Sequence, residues 1–574
     1  MPAGSNPRVR YYALATDYDG TLAKDGAVDD ATLQAIERLK KSGRKLLLVT
    51  GRELDDLHRT FAHVDVFDRV VAENGAVVYD PAKKKCSKLA EAPPPEFSRK
   101  LREQGVQPLS TGAVIVATHE PHQDAVLKTI NELGLELQVI FNKGSVMVLP
   151  SGVNKATGLK CALEELGLSW HNVVGVGDAE NDHAFLSSCE CAVAVANALP
   201  ALKDRADWVT EGARGAGVQE LVGRMLADDL VSLQARLSRY DILLGRTESG
   251  EVRLPVCGSA VLVAGTSGGG KSTLTTGFME RLAAGGYQFC AIDPEGDYQS
   301  FAHAMIPGDA KRPPHVSEVL GLLEKPSQNV IVNLLGIAME HRPAFFAGLM
   351  SRIAALRTRA GRPHWIVIDE AHHVMPAGNN EAGMIPQMQG LYMITLEPDR
   401  LAAAACSAVT HLITVGREPG KTVRSFCELA GRSCPDTDDA PLPHGEALLL
   451  PLNGDQPPFR FCVEPAESKP VRHSRKYATA ELTPDRSFFF KGPEGRLNLR
   501  AQNLVTFVQL MEGVDDETWL YHLHRGEYSA WFRENIKSDD LAGAAREIEQ
   551  ADGDSVSESR KAMREAIEQR YTLA

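Results

Sequence analysis

The chain has 574 residues, 43% of them hydrophobic and 24% charged, which is typical of a globular protein and excludes a disordered one. Its net charge of −13 excludes a protein that coats nucleic acid with a wholly basic surface, but it is compatible with a local basic groove. No apolar run approaches the roughly 18 residues that span a bilayer, the first residues lack a signal-peptide core, and ten cysteines without a CxxC pair predict reduced thiols in a cytoplasmic protein.

At about 150 residues per domain, this length predicts three or four folded units. Strand-like runs alternate with helix-like segments from Tyr11 to about Arg224, the pattern of a parallel sheet with crossover helices. The predicted strands are Tyr11–Thr16, Lys45–Thr50, Val70–Ala72 and Val173–Val176. Between about residues 80 and 150 the pattern changes and predicts an inserted α+β cap. Its predicted elements are Ala113–Thr118, Gln123–Leu133, Glu136–Phe141 and Ser145–Leu149.

The first predicted strand runs directly into Asp17-Tyr18-Asp19-Gly20-Thr21. Open α/β sheets place their sites at the carboxyl ends of strands. The first carboxylate can attack phosphorus and form an aspartyl-phosphate, and the second can protonate the leaving oxygen and then activate water. On its own, the same pattern also fits a loop or a cation-coordinating turn.

Three further elements favour phosphate chemistry. Thr50 ends the second strand, where a hydroxyl and free backbone amides at a helix start can bind phosphate. Lys155 can neutralise the charge of a pentavalent phosphorus. The strand Val173–Val176 ends in Gly-Asp-Ala-Glu-Asn-Asp at 177–182, which supplies carboxylates for an oxygen-liganded Mg²⁺. The alternative is that all of these are helix caps and surface turns.

With these motifs, residues from about 11 to 225 resemble the haloacid dehalogenase (HAD) superfamily of phosphohydrolases. The resemblance is to the subclass with an inserted α+β cap, here at about 80–150, which includes sucrose-phosphate phosphatase and archaeal phosphoglycolate phosphatase. It implies a Rossmann-like α/β domain, Mg²⁺ as cofactor and a small phosphorylated substrate recognised by the cap. The implied roles are nucleophile for Asp17, acid/base for Asp19, phosphate ligands for Thr50 and Lys155, metal ligands for Asp17, Asp19 and Asp178, and positioning of the site for Asp182.

After a predicted helix at Gly217–Ser238 and a hairpin turn at 248–251, a second α/β region opens. The strand Ala260–Ala264 leads into Gly-Thr-Ser-Gly-Gly-Gly-Lys-Ser-Thr at 265–273 and then a predicted helix at Leu274–Ala284. This is the P-loop pattern in its strand–loop–helix context, in which backbone amides surround the phosphates, the lysine reaches the β/γ oxygens and the serine ligates Mg²⁺. The candidate ATP-binding residues are Gly265, Gly270, Lys271, Ser272 and Thr273, with Ser272 also a candidate metal ligand.

The strand Trp365–Ile368 ends in Asp369-Glu370-Ala371-His372. Asp369 is expected to hold the water shell of the Mg²⁺ that accompanies ATP, and Glu370 to act as base for the attacking water. Tandem acids favour an ATP hydrolase over a kinase. The alternative is an Asp-Glu pair that only stabilises a helix start.

The strand Gln288–Ile292 ends in Asp-Pro-Glu-Gly-Asp-Tyr at 293–298. Together with the P-loop and the tandem acids, residues at about 240–465 resemble the HerA/FtsK group of RecA-like ATPases, which implies a RecA-like P-loop NTPase domain, a hexamer and DNA as a partner. One residue departs from this pattern, and the role of another has two interpretations. Thr395 stands where a polar sensor, often Gln, is expected, and Arg417 fits a finger that acts in trans or an ordinary surface arginine.

Residues 475–574 are rich in helix signals and predict a small, mainly helical C-terminal domain. Its last helix is expected to align Met563, Ile567 and Tyr571 on one face. His522 and His524 would diverge by about 200° on a helix, so packing is favoured over a metal site. The basic stretch 468–476 fits a solvated linker better than a phosphate contact.

Together, these patterns predict a cytoplasmic Mg²⁺-dependent phosphatase for a small phosphorylated metabolite, joined to an ATP-hydrolysing domain that gates or oligomerises it. Two alternatives stay open. One is a HerA-like ATPase that translocates or processes DNA and carries an attached phosphatase, as in repair or phage defence. The other is an ATP-dependent switch with a non-catalytic HAD module.

Overall fold

The computed structural model describes residues 9–237, 240–266, 269–378, 389–396, 398–454, 456–468, 482, 484–536, 538–551 and 555–568. The chain forms two compact units, one of Met1–Gly296 and His303–Glu467 and the other of Asp297–Ala302 and Ser468–Ala574. Tyr571 and positions 469–476 of the predicted linker lie outside the described residues. No described helix combines the length and apolar character that a membrane span requires.

The first unit begins with an α/β domain and its cap. Its strands are β1 (Ala13–Thr16), β2 (Lys45–Val49), β3 (Arg69–Ala72), β4 (Val77–Asp80), β5 (Lys85–Lys88), β6 (Ser110–Thr111), β7 (Val116–His119), β8 (Leu137–Asn142), β9 (Ser145–Pro150), β10 (Val173–Gly177), β11 (Cys191–Ala194) and β12 (Trp208–Val209). Its helices are α1 (Asp30–Lys41), α2 (Leu54–Thr60), α3 (Pro95–Glu103), α4 (Gln123–Leu133), α5 (Lys155–Leu166), α6 (His183–Ser188), α7 (Pro200–Lys203) and α8 (Gly215–Asp228).

Eight of these strands form one sheet in the order β12-β11-β10-β1-β2-β3-β4-β5. From β12 to β3 neighbouring strands are parallel, and β4 and β5 add an antiparallel edge. The central strands are buried except for Lys45 at the start of β2, which explains their near-continuous apolar composition. This confirms the predicted Rossmann-like α/β fold of the N-terminal region.

The cap is a four-stranded antiparallel sheet, β6-β7-β9-β8, packed with α3 and α4 around a small apolar core of its own. It starts later than the predicted position near residue 80, because β5 pairs with β4 in the large sheet. The helix predicted at Gly217–Ser238 is also shorter. It ends at Asp228 because Asp229 and Leu230 both take left-handed backbone conformations, with φ of 53° and 61°.

The second α/β region is built on a ten-stranded sheet. Its strands are β13 (Ile242–Thr247), β14 (Gly250–Leu254), β15 (Ala260–Gly265), β16 (Phe289–Asp293), β17 (Val330–Asn333), β18 (Trp365–Ile368), β19 (Leu391–Thr395), β20 (His411–Val415), β21 (Glu446–Pro451) and β22 (Phe459–Val463). Its helices are α9 (Lys271–Ala284), α10 (Val316–Leu323), α11 (Arg342–Ala360), α12 (Ala403–Ser407) and α13 (Pro419–Ala430).

The strand order is β14-β13-β22-β21-β20-β15-β19-β18-β16-β17. The six strands from β20 to β17 are parallel, and the remaining four form an antiparallel extension. Strand β19 lies between β15, which precedes the P-loop, and β18, which precedes the tandem acids. The carboxyl ends of all three strands therefore meet at one edge of the sheet.

Within the first unit, the two large sheets meet through residues near the amino ends of their strands. The Tyr12 hydroxyl donates to the Arg357 carbonyl at 2.7 Å. The His171 ring stacks on Tyr287 with centroids 3.5 Å apart, and both side chains bond to the buried Glu190 carboxylate, at 2.6 and 2.9 Å. The carboxyl ends of the strands, where the predicted sites lie, face away from this contact.

The second unit contains a two-stranded antiparallel sheet and a helical bundle. Its elements are β23 (Phe488–Phe490), β24 (Leu499–Ala501), α14 (Leu504–Gly513), α15 (Asp516–His524), α16 (Glu527–Glu534), α17 (Asp539–Glu549) and α18 (Val556–Glu568). His522 is buried, and its Nδ1 lies 2.6 Å from a Glu527 oxygen, whereas His524 is exposed. The two histidines pack in different surroundings, as the helical spacing predicted.

Candidate active site

The predicted nucleophile lies directly after the central strand β1. The backbone N–H of Asp17 donates to the Val176 carbonyl at 3.0 Å, which fixes the end of β1 against the end of β10. Asp17 is only 5% exposed. Burial and the nearby Asp182 raise the pKa of the Asp17 carboxyl, and Lys155 partly offsets this rise.

A single lysine joins two carboxylates from different parts of the chain. Lys155 begins α5, whose first turn is capped by the Asn154 side chain. The Lys155 ammonium donates to Asp17 and to Asp182, at 2.5 Å in each case. Burial alone would lower the pKa of Lys155, but the two carboxylates reverse this effect and raise it. The lysine therefore stays charged and holds the nucleophile in place.

Asp178 completes the group at the end of β10. Oxygens of Asp17, Asp178 and Asp182 lie within 4.8 Å of one another, and all three residues are buried. Buried carboxylates at this spacing are the ligands that Mg²⁺ prefers. Burial raises the pKa of Asp178, partly offset by Lys143. The donor set therefore fits a divalent cation.

Asp182 also fixes the loop that carries Asp178. One Asp182 oxygen accepts the backbone N–H groups of Asp178 and Ala179, at 2.9 Å each. Its other oxygen accepts a hydrogen bond from the Lys155 ammonium. Both Asp182 oxygens therefore bond to neighbouring groups, and its role in positioning the site stays a prediction.

The structure does not bring the Asp19 carboxylate, a predicted metal ligand, into this group. Arg52 holds it in a two-pronged ion pair, with distances of 2.7 and 2.8 Å. The Arg52 guanidinium also donates to Asp56 at 2.7 Å, and these two carboxylates raise its pKa. The Asp19 carbonyl oxygen, by contrast, accepts a hydrogen bond from the Lys143 ammonium at 2.9 Å. Sequence reasoning missed the Arg52–Asp19 pair, because nothing local links positions 33 residues apart.

Thr50, the predicted phosphate ligand, lies buried one residue after β2. Its hydroxyl accepts the backbone N–H of Arg52 at 3.1 Å, and its carbonyl accepts the N–H of Asn74 at 3.0 Å. It follows a strand that pairs directly with β1, so it lies at the same sheet edge as Asp17. Its role as a phosphate ligand stays a prediction.

Glu73, which sequence reasoning also missed, fixes the cap to the core domain. Its buried carboxylate accepts three successive backbone N–H groups, from Ala113, Val114 and Ile115, at 2.7 to 2.9 Å. Such a set of donors satisfies a buried charge without a cationic partner. The segment that leads into β7 is therefore held against the core domain.

The P-loop pattern takes the expected strand–loop–helix form in its described part. Gly265 ends β15, and a Cβ there would lie 2.1 Å from the Val415 carbonyl oxygen, so a larger residue does not fit. Gly270 has φ of 98° and precedes α9, which begins at Lys271. Ser272 is buried and Thr273 half-buried in the first turn of that helix. Positions 267 and 268 of the loop lie outside the described residues.

The Lys271 ammonium bonds to its own loop. It donates to the carbonyl oxygens of Gly265 and Thr266, at 2.7 and 3.1 Å. Arg417 approaches the same loop through its backbone, whose N–H donates to the Thr266 hydroxyl at 3.3 Å, while its side chain is exposed. A phosphate in the loop would offer the lysine stronger, charged acceptors.

The tandem acids lie at the end of β18, two strands away from the P-loop strand. Asp369 accepts the Glu370 backbone N–H at 3.0 Å, and Glu370 has a left-handed φ of 39°. Strained backbone of this kind is concentrated at functional sites. The His372 ring lies between Glu370 and Thr395, at 3.5 Å and 3.4 Å. Burial, aided by His373, lowers the pKa of His372 to about 4, so its ring is neutral at neutral pH.

Comparisons with known proteins identify the N-terminal region. The haloacid dehalogenase-like hydrolase family matches residues 14–109 and 102–222. The phosphoglycolate phosphatase of Methanothermobacter thermautotrophicus is 29% identical over 223 residues, which are 37% of this chain and 98% of that protein. Phosphoglycolate phosphatase 1 of Saccharolobus solfataricus is 30% identical over 222 residues, 37% of this chain and 95% of that protein.

A solved haloacid dehalogenase-like hydrolase from Bacteroides thetaiotaomicron is 18% identical, with a TM-score of 0.34, and covers 38% of this chain and 100% of that one. The chain belongs to the haloacid dehalogenase-like hydrolase family through its N-terminal region. The predicted HAD resemblance is confirmed, while the HerA-like assignment of residues 240–465 stays a prediction.

Proposed function

We propose that the N-terminal domain is a Mg²⁺-dependent phosphatase for a small phosphate monoester of the phosphoglycolate or sugar-phosphate type, and that the P-loop domain hydrolyses ATP. The observation that carries the first part is the buried group of Asp17, Lys155, Asp178 and Asp182 at one edge of the sheet. A nucleophile, a fixed cation and a set of metal ligands are the parts that phosphoryl transfer requires.

In the proposed reaction, one Asp17 oxygen attacks phosphorus while the other bonds to Lys155. The leaving oxygen takes a proton from Asp19, which later receives a proton from the water that attacks the aspartyl-phosphate. In the structure Arg52 holds Asp19 as a paired carboxylate, so this step requires Asp19 first to leave the ion pair and take up a proton from solvent. The Lys155 ammonium, together with the Thr50 hydroxyl and the backbone amides that follow it, offsets the negative charge on the phosphoryl group. Mg²⁺, when bound by Asp17 and Asp178, supplies further charge neutralisation.

The cap supports a small substrate, because its β8–β9 hairpin reaches the carboxylate group directly through Lys143. The curated relatives named above act on phosphoglycolate by name, which supports a compact phosphorylated acid as the first substrate to assay. Full-length protein would be assayed with phosphoglycolate and a set of sugar phosphates, with and without Mg²⁺. We expect kcat/KM above about 10⁴ M⁻¹s⁻¹ on one compound. Absence of Mg²⁺-dependent turnover on every phosphate monoester would contradict the proposal.

ATP hydrolysis by residues 240–465 is supported by the sheet order. Strand β19 lies between the P-loop strand and β18, so the sensor candidate Thr395 and the tandem acids meet at the edge where Lys271 begins α9. In this proposal Lys271 and Ser272 bind the phosphates and the accompanying Mg²⁺, Asp369 holds its water shell, and Glu370 activates water. The Glu370→Gln variant should bind ATP but hydrolyse it at least about a hundredfold more slowly. Unchanged hydrolysis would exclude Glu370 as the base.

The proposed partners are a small phosphorylated substrate and ATP. A hexamer and DNA binding follow only from the HerA-like resemblance and stay predictions. ATP hydrolysis that DNA stimulates with a steep salt dependence would favour the DNA-processing alternative. Phosphatase turnover that changes with ATP but not with DNA would favour gating of the phosphatase.

A further inference from the structure

Lys143, a residue of the cap, reaches into the carboxylate group of the core domain. It lies at the tip of the β8–β9 hairpin, where its own φ is 48° and that of Gly144 is 80°. Its ammonium donates to an Asp178 oxygen and to the Asp19 carbonyl oxygen, at 2.9 Å each. Among the described residues, it is the cap side chain that forms an ion pair with this group.

The charges of the site leave room for a stronger cation than a lysine. Asp17, Asp178 and Asp182 carry three negative charges when ionised, and Lys155 offsets one of them. Lys143 offsets a second and leaves one net negative charge in a buried place. A dication in its position would leave none. Because an uncompensated buried charge is costly, the site favours a divalent ion over the lysine when the ion is present.

The lysine and a metal ion cannot share this position. A carboxylate oxygen and a carbonyl oxygen converge on the Lys143 ammonium, and such oxygens are suitable ligands for a hard cation. Gly20 lies against both groups, since a Cβ on it would lie 2.4 Å from the Asp178 oxygen and 2.7 Å from the Lys143 ammonium. A metal ion bound to the same two oxygens would lie next to the ammonium, and the two cations would repel each other.

We propose that Lys143 is a latch that closes the cap on the metal-free site by occupying the oxygens that Mg²⁺ uses. Metal binding displaces the ammonium and releases the hairpin, so the cap opens for substrate when the site is loaded. This inference rests on the proposed Mg²⁺-dependent phosphatase and adds a competition between cap closure and metal binding.

The test is Mg²⁺ binding to full-length protein by titration calorimetry. The Lys143→Met variant should bind Mg²⁺ about tenfold more tightly, since the metal no longer has to displace an ammonium. Lys143→Arg keeps the charge and should stay closer to the unaltered protein. The matched control is Lys128→Met, an exposed cap lysine that pairs with Glu132 on its own helix, and it should leave the affinity unchanged. Equal or weaker Mg²⁺ binding by Lys143→Met would overturn the latch.

Hydrogen exchange of residues 137–150 gives a second readout. In the unaltered protein, Mg²⁺ should raise exchange of this hairpin, and in Lys143→Met exchange should be high with or without Mg²⁺. The Asp178→Asn variant distinguishes failure of the latch from failure of the proposed metal site. If it abolishes Mg²⁺ binding but Lys143→Met changes neither affinity nor exchange, only the latch is wrong. If Mg²⁺ binding is absent or unaffected by Asp178→Asn, the proposed metal site is wrong and the latch with it.

Discussion

The two α/β regions of the first unit place their polar groups at the same kind of position but hold them in different ways. In the N-terminal domain, Lys155 bonds to Asp17 and Asp182, which lie 138 and 27 residues away. In the second α/β region, Lys271 bonds to carbonyls only six and five residues before it. The first site is assembled by the tertiary structure, whereas the second is shaped by a local loop. Loss of its lysine should therefore lower the stability of the protein more at the first site than at the second.

The largest expected effect separates the two sites by activity. Asp17→Asn should reduce phosphatase turnover by at least about a thousandfold, because the amide cannot act as nucleophile, and should leave ATP hydrolysis unchanged. Lys271→Ala should do the reverse. Both activities would be measured on the same full-length preparations, with circular dichroism as the control for folding. If one substitution removes both activities from a folded protein, the two sites are not independent.

A second prediction compares the two lysines by stability. Lys155→Met leaves Asp17 and Asp182 buried without a cation and should lower the free energy of unfolding by about 3–5 kcal/mol. Lys271→Met removes hydrogen bonds to two backbone carbonyls and should cost about 1–2 kcal/mol. Urea unfolding of both variants beside the unaltered protein measures the difference. Equal losses would show that the N-terminal site is not held by its lysine as the distances indicate.

The smallest effect concerns the contact between the two domains. Tyr287→Phe keeps the stack on His171 and removes the hydroxyl that donates to Glu190, so it should cost about 1–2 kcal/mol. Tyr287→Ala also removes the stack and should cost more, about 3–5 kcal/mol. Thermal unfolding followed by calorimetry would rank the two variants. If the unfolding temperature falls for the second α/β region only and stays unchanged for the N-terminal domain, the contact does not stabilise both.

The sequence predicted what local pattern determines. Buried apolar runs and the residues after them located β1, β10, β15 and β18 and the candidate residues at their ends. Long-range pairing was beyond its reach. Arg52 turns the Asp19 carboxylate away from the metal group, and no pattern near either residue shows it.

The same limit applies to the cap. Lys143 reads as an ordinary turn residue between two strands, and only the closed arrangement of cap and core domain brings it to Asp178. The predicted start of the cap near residue 80 was too early for a similar reason, since only the pairing of β5 with β4 assigns residues 85–88 to the large sheet.

The most direct test of the phosphatase is to find the phosphoryl group on its nucleophile. Full-length Asp19→Asn protein, in which breakdown of the intermediate should be slow, would be mixed with Mg²⁺ and p-nitrophenyl phosphate, quenched in acid and mapped by peptide mass spectrometry. We predict one phosphoryl group on the peptide with Asp17, and none when Asp17→Asn is added. A phosphoryl group on another residue, or substrate turnover with none on Asp17, would contradict the account.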